Sequence, residues 1–143
     1  MLYFAFGSNI DVGQMRRRCP GARVFGEAVL PKHRLVFNGF SQGWGGAVAS
    51  VMRDDRSEVP GVVYDLAAED VERLDGYEGH PWVYERRVRS VILSDGSRRR
   101  AQVYIHTQPN LIGRPSWKYV MTIWRAYQAR GFDDSPLFDA GGF

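Results

Sequence analysis

An uncharged run of aromatic and aliphatic residues, Met1 to Phe6, breaks off abruptly at Gly7, Ser8 and Asn9. The run reads as a buried strand. The break has a chemical basis: glycine accepts φ > 0, and serine and asparagine side chains bond their own backbone. After Ile10, the segment Asp11–Arg18 reads as a short helix, with Asp11 as N-cap and Gln14 three residues on, a capping-box-like pair. A strand, a tight polar turn and a helix start bring several backbone N–H groups to one point, which suits an anion or a developing oxyanion.

Downstream, strand signals dominate. Residues 23–39 alternate as one long or bent strand with Pro31 at a bend, and residues 40–46 form a glycine-rich loop around Trp44. Residues 47–53 and 59–66 read as two strands about a turn at 53–58. Residues 67–79 give a short helix ending at Leu74 and running into turns at Asp75, Gly76 and Gly79. Ser94-Asp95-Gly96-Ser97 is a hairpin turn between strands at 82–93 and 98–107. A last helix starts at Pro115, carries Tyr119, Ile123, Ala126 and Tyr127 at helical spacing, and is capped by Gly131. The class is α+β, and so many strands in one small domain must close into a barrel or cover their edges.

The 143 residues suffice for one domain with a full core, residues 1–143, in which the segment after about 132 is expected as a flexible tail. No apolar run approaches the roughly 20 residues that span a bilayer. The single cysteine, Cys19, permits no internal disulfide, so the cytoplasm is the expected compartment. It adjoins Pro20 without an obvious base and reads as structural. His33, His80 and His106 lack ligand spacing, so neither a metal nor another cofactor is expected. Net charge is +3, with two arginine triplets, Arg16–Arg18 and Arg98–Arg100. They read either as a patch for nucleic acid or an anionic carrier, or as a solvated helix end complementing the macrodipole and a solvated hairpin strand. Sixteen acidic residues offset the basic ones and no aromatic-basic interleaving is visible, so no nucleic-acid partner is expected. Monomer and homodimer both stay open.

One acidic residue does not fit its surroundings. Glu78 lies between Gly76 and Gly79, beside Tyr77 and just before Trp82-Val83-Tyr84. It reads either as a surface-turn glutamate or as a general acid/base; packed among Tyr77, Trp82 and Tyr84, its pKa would rise toward neutrality.

Taken in order, FAFGSN, GVVYDL, LDGYEG with WVYERR, and PSWKYVMTIWRAYQARGF resemble the gamma-glutamylcyclotransferase family, over about Leu2 to Phe132. The resemblance implies a small mixed-strand β-barrel with flanking helices. It also implies cleavage of gamma-glutamyl amides, free or carrier-linked, by intramolecular attack that releases 5-oxoproline and an amine or amino acid. By the same resemblance Glu78 is the catalytic residue. Phe6, Gly7, Ser8, Asn9 and Ile10 form the substrate cradle, and Tyr84 and Tyr119 line the site. The family's loop usually begins with tyrosine where this chain has Phe6, and its last helix often carries a Gly-Ala pair near Trp124-Arg125. In the implied mechanism Glu78 takes a proton from the substrate's α-ammonium. The amine attacks the γ-carbonyl, and loop N–H groups receive the oxyanion, with the Gly7–Ile10 backbone the candidate partner for the α-carboxylate. A non-catalytic member binding a gamma-glutamyl or amino-acid-like ligand is the alternative, and an arginine-patch carrier or nucleic-acid module is a further one.

Overall fold

The uncharged N-terminal run forms β1 (Leu2–Ala5). It is covered on both edges, running antiparallel to β3 (Gly46–Asp65), with Tyr3 opposite Tyr64, and parallel to β5 (Arg98–His106), with Tyr3 opposite Gln102. With β2 (Arg23–Ser41) and β4 (Tyr84–Leu93), these strands close a barrel in the order β1-β3-β2-β4-β5. Pairing on both of its edges permits the all-apolar β1. The computed structural model describes all 143 residues.

The strands expected at 47–53 and 59–66 are one, β3, folded against an equally long β2. Its first half pairs with the second half of β2 and its second half with the first. The expected turn survives inside it. The ladder passes from Pro31↔Glu58 to His33↔Arg53, leaving four residues of β3 opposite Lys32, whose φ is 60°. Asp54 accepts from the Arg56 N–H at 3.1 Å and the Ser57 hydroxyl at 2.9 Å, the local bonding that made the segment read as a turn. This bulge bends both strands round the barrel.

Four helices flank the barrel. In α1 (Val12–Arg18) Asp11 is the N-cap, accepting from Gln14 N–H at 3.0 Å. The capping box is half made, because the Gln14 amide turns to Ser8 and Asn9 instead. The next helix, α2 (Ala68–Glu78), runs a full turn past Leu74 and stops at Gly79, left-handed with φ 66°. A Cβ at Gly76 would meet nothing within 4 Å, so that glycine costs helix propensity without marking a boundary. In α3 (Trp117–Arg130) Ser116, not Pro115, sets the start, accepting from Tyr119 N–H at 3.2 Å.

The segment after 132 is not a loose tail. It forms α4 (Ser135–Gly141), with Leu137 fully buried. Asp134 accepts from Trp124 Nε1 at 2.8 Å and Gln128 Nε2 at 3.1 Å, and Phe138 packs on Trp124. An indole where the resemblance leads one to expect a small residue is therefore what fastens this segment. No helix is long and apolar enough to cross a membrane.

A buried core of aromatic, leucine, isoleucine and valine side chains fills the barrel and the helix seats. Its tightest point is Gly61, opposite Ala28, where an added Cβ would collide with the Ala5 carbonyl and lie 2.7 Å from Phe4 Cζ. Gly61→Ala is expected to destabilise the protein by about 1–3 kcal/mol through overpacking. Chemical denaturation checks this, and an unchanged midpoint would contradict the packing described.

Candidate functional site

Where β1 ends, the chain turns through a 3-10 segment, Ser8–Ile10, and Asn9 becomes the point on which three elements converge. Its Oδ1 accepts from Gln14 Nε2 at 3.0 Å and from an Arg18 guanidinium nitrogen at 3.1 Å; its Nδ2 donates to Tyr3 Oη at 3.1 Å. Its carbonyl accepts from Tyr64 Oη at 2.7 Å. Ser8 Oγ accepts from Gln14 Nε2 at 2.7 Å. In this fixed turn the Ile10 N–H donates to Gly7 O and the Asp11 N–H to Ser8 O, whereas the N–H groups of Gly7, Ser8 and Asn9 have no protein acceptor.

Opposite this loop, two tyrosines hold one residue of β3. Tyr119 Oη, from α3, accepts from Ala49 N–H at 3.0 Å, and Tyr84 Oη, from β4, donates to Ala49 O at 2.7 Å. Next to it, Ser50 Oγ accepts from His106 N–H at 3.0 Å. Only the second half of β3 reaches β1, so its first half would expose backbone groups on that side, and the two phenols satisfy those of Ala49. The Tyr119 phenol accepts here, so its own proton stays free to donate. A Cβ on Gly7 would lie 3.5 Å from that hydroxyl, in ordinary contact, so loop and tyrosine face each other at close range.

Between loop and tyrosines lies a cavity of about 120 Å³ lined by Phe6, Gly7, Ser8, Asn9, Glu78, Tyr84 and Tyr119. Tyr3, Arg18, Trp44, Val48, Ala49, Tyr77 and Tyr104 complete it. Glu78 enters from the last turn of α2 and is therefore carried by a helix rather than a surface turn. That helix end is tied to the barrel by Asp75, which accepts from Arg86 Nε at 2.7 Å and Tyr104 Oη at 2.5 Å. Burial among the aromatic rings pushes the Glu78 carboxyl up from 4.5 to about 7, against the opposing pull of Arg18. Burial likewise raises Tyr84 and Tyr119, with the Glu78 charge adding to the effect, so both remain protonated donors.

Most of the residues expected at the site are brought together here, and three readings change. Ile10, expected in the cradle, is 1% exposed in the core and its N–H is spent inside the turn, so it offers nothing to the cavity. Trp82, expected to shield Glu78, is 83% exposed and absent from the lining. Tyr77 and Tyr84 do line the cavity, and the rings of Tyr3, Tyr104 and Tyr119, distant in sequence, join them. Arg18, read as part of a solvated helix end, lines the cavity. It shares a helix face with Gln14, four residues earlier, and that spacing was the available signal. Nothing local marked Tyr3 or Tyr104, which barrel closure brings there. Cys19 is fully buried, donates to Asp70 O at 3.4 Å and is pushed up to about 11 by burial, so it is no nucleophile. A larger hollow of about 510 Å³ lies where α4 meets the bulged strands, but its charged residues Arg34, Arg56, Glu58 and Asp139 are all solvent-exposed.

Because the folded-state pKa of Glu78 is raised, an ionised carboxylate opposes folding. The cost is absent below about pH 4.5, where both states are protonated, and complete above about pH 7. Glu78→Gln, which mimics the protonated form, is expected to be more stable than wild type by about 1–3 kcal/mol at pH 8.5, with the gap closing at pH 4. Denaturation at both pH values checks the sign. A gap independent of pH would show that Glu78 is not desolvated.

Comparison with known proteins agrees with this architecture. The family model for "Gamma-glutamyl cyclotransferase, AIG2-like" matches residues 3–123. A human gamma-glutamylcyclotransferase is 37% identical over 83 residues, 54% of this chain and 44% of that protein, and the mouse protein is 34% identical over 82 residues. The match thus spans less than half the length of these curated relatives. A solved "Gamma-glutamyl cyclotransferase" superposes with a TM-score of 0.88 at 27% identity, covering 98% of this chain and 85% of that one. An uncharacterized human protein superposes at 0.87 with 28% identity, covering 97% and 85%. By sequence and by barrel, the chain belongs to the gamma-glutamyl cyclotransferase, AIG2-like family.

Proposed function

We propose that this protein is a gamma-glutamyl cyclotransferase that releases 5-oxoproline and an amine, with Glu78 moving the protons. One observation carries the reading: a carboxyl poised at about 7 shares a small aromatic cavity with the unbonded N–H groups of Gly7, Ser8 and Asn9. A carboxyl tuned near the working pH is a far better proton shuttle than one at 4.5.

The chemistry follows from what each group can do. The substrate's α-amine, with a pKa of roughly 8 or above, arrives mostly as ammonium and cannot attack. Glu78 takes one proton, and the freed nitrogen closes a five-membered ring on the γ-carbonyl carbon. Tethering gives that attack a large effective molarity, so the cavity has chiefly to hold the glutamyl chain folded back. Negative charge moves onto the carbonyl oxygen, where the loop N–H groups, with the free phenol proton of Tyr119, receive it. The bond to the leaving nitrogen then breaks. Of three protons on the original ammonium, one stays on the ring nitrogen and two pass by way of Glu78 to the leaving amine. The cavity of about 120 Å³ suits the glutamyl half and leaves the amine at the mouth beside Trp44 and Tyr77.

Wild-type protein incubated with gamma-glutamyl amino acids and amines is expected to yield 5-oxoproline, and Glu78→Gln to lose at least about 10²-fold in kcat, the scale of general acid–base catalysis. Absence of product from every donor, with glutamyl-ligand binding retained, would favour a non-catalytic binding protein. Because the reaction needs ionised Glu78 and a substrate still carrying its ammonium protons, kcat/KM is expected to rise with pH through about 7 and to fall again above the ammonium pKa, roughly 8 or higher. An acid limb near 4.5 would remove the desolvated carboxyl from the mechanism.

A further inference from the structure

Resting on the cyclotransferase reading, we infer that Arg18 binds the substrate's α-carboxylate and makes the site selective for donors with a free amino-acid end. The α-ammonium must meet Glu78 for its proton to leave. The carboxylate on the same carbon is then carried into the neighbourhood of the Glu78 charge, and like charges in a water-poor cavity repel strongly. Some cation has to answer it. Among the residues lining the cavity, Arg18 is the only lysine or arginine and Glu78 the only carboxylate.

The geometry suits a zwitterion lying between them. Arg18 and Glu78 face the same cavity, and the Arg18 charge acts on Glu78, yet the two form no ion pair within 4 Å. Opposite charges held apart across a cavity leave room for a ligand carrying the complementary pair. Of the five guanidinium N–H donors, a single one has a protein acceptor, Asn9 Oδ1 at 3.1 Å. A second contact, Tyr77 with its ring centroid 5.0 Å from Cζ, steadies the group without using a donor. A planar fork fixed at two points with donors to spare is built for a carboxylate. The loop N–H groups are needed at the γ-carbonyl oxygen and bear no net charge. Arg16 and Arg17, the two residues before it, are exposed and outside the lining, so the assignment singles out one member of the triplet.

The test compares two donors carrying the same amine: a gamma-glutamyl amide, which cyclises to 5-oxoproline, and the 4-aminobutanoyl amide, which lacks only the α-carboxylate and cyclises to 2-pyrrolidinone. Wild type is expected to prefer the first by roughly 10–100-fold in kcat/KM, the scale of a hydrogen bond to a charged group. Arg18→Met should bring the two kcat/KM values to within about threefold of each other, the gamma-glutamyl rate falling by the larger factor, and Arg18→Lys should keep part of the preference. An equal fall for both donors would mean that Arg18 acts through Asn9 or Glu78, and the inference fails. It fails also, with no variant needed, if wild type shows no preference. Calorimetric binding of 5-oxoproline against 2-pyrrolidinone separates the two readings. If wild type turns over neither donor, the cyclotransferase reading falls. The carboxylate site then stands if 5-oxoproline binding needs Arg18, and falls if Arg18→Met binds it as tightly.

Discussion

Asn9 carries more of this architecture than any core hydrophobe. Its side chain and carbonyl join β1 through Tyr3, α1 through Gln14 and Arg18, and β3 through Tyr64. Each bond has net worth of about 1 kcal/mol, but losing one partner strands another polar group in a buried place, which costs more. The turn after β1 is held by this saturation, and because its acceptors, Gly7 O, Ser8 O, Ser8 Oγ, Asn9 O and Asn9 Oδ1, are all taken by other donors, the N–H groups of Gly7, Ser8 and Asn9 remain unpaired. The same amide that fixes the loop also aims Arg18.

The second constraint is electrostatic. Moving Glu78 from 4.5 to about 7 corresponds to roughly 3 kcal/mol against its charged form, a large fraction of a small domain's stability. Arg18 relieves part of this and does not cancel it: the two groups do not touch, and the arginine is only partly buried. Had the pair closed to contact, the carboxyl would be a settled anion and a poor acid. Distance between opposite charges is what leaves Glu78 able both to take and to return a proton.

How much of this could be read beforehand divides along the range of the interactions. The N-cap at Asp11, the break at Gly7–Asn9 and the αL stop at Gly131 depend on residues a few positions apart and were legible. The fold of β3 on β2 was not, because the Asx-type bonding of Asp54 looks like an ordinary turn until the distant pairing of Pro31 with Glu58 shows it to be a bulge. At the site, Glu78 stood out as a carboxylate among aromatics, and of the three rings assigned to it Tyr77 and Tyr84 line the cavity while Trp82 does not. Trp82 points to solvent, while Tyr3 and Tyr104 come from β1 and β5, paired only by closure.

Phe6 shows how such a site tolerates a missing polar group. A tyrosine at this position, as in related loops, would bring a hydroxyl; Phe6 is 6% exposed, packs near Phe4 at 6.5 Å between centroids, and brings none. Five phenols from other elements line the same cavity. Those of Tyr84 and Tyr104 are committed as donors to Ala49 O and Asp75, whereas those of Tyr3 and Tyr119 accept from Asn9 and Ala49 and so keep a proton to give. The donor capacity absent at position 6 is thus present at Tyr119, anchored by a backbone bond and facing Gly7.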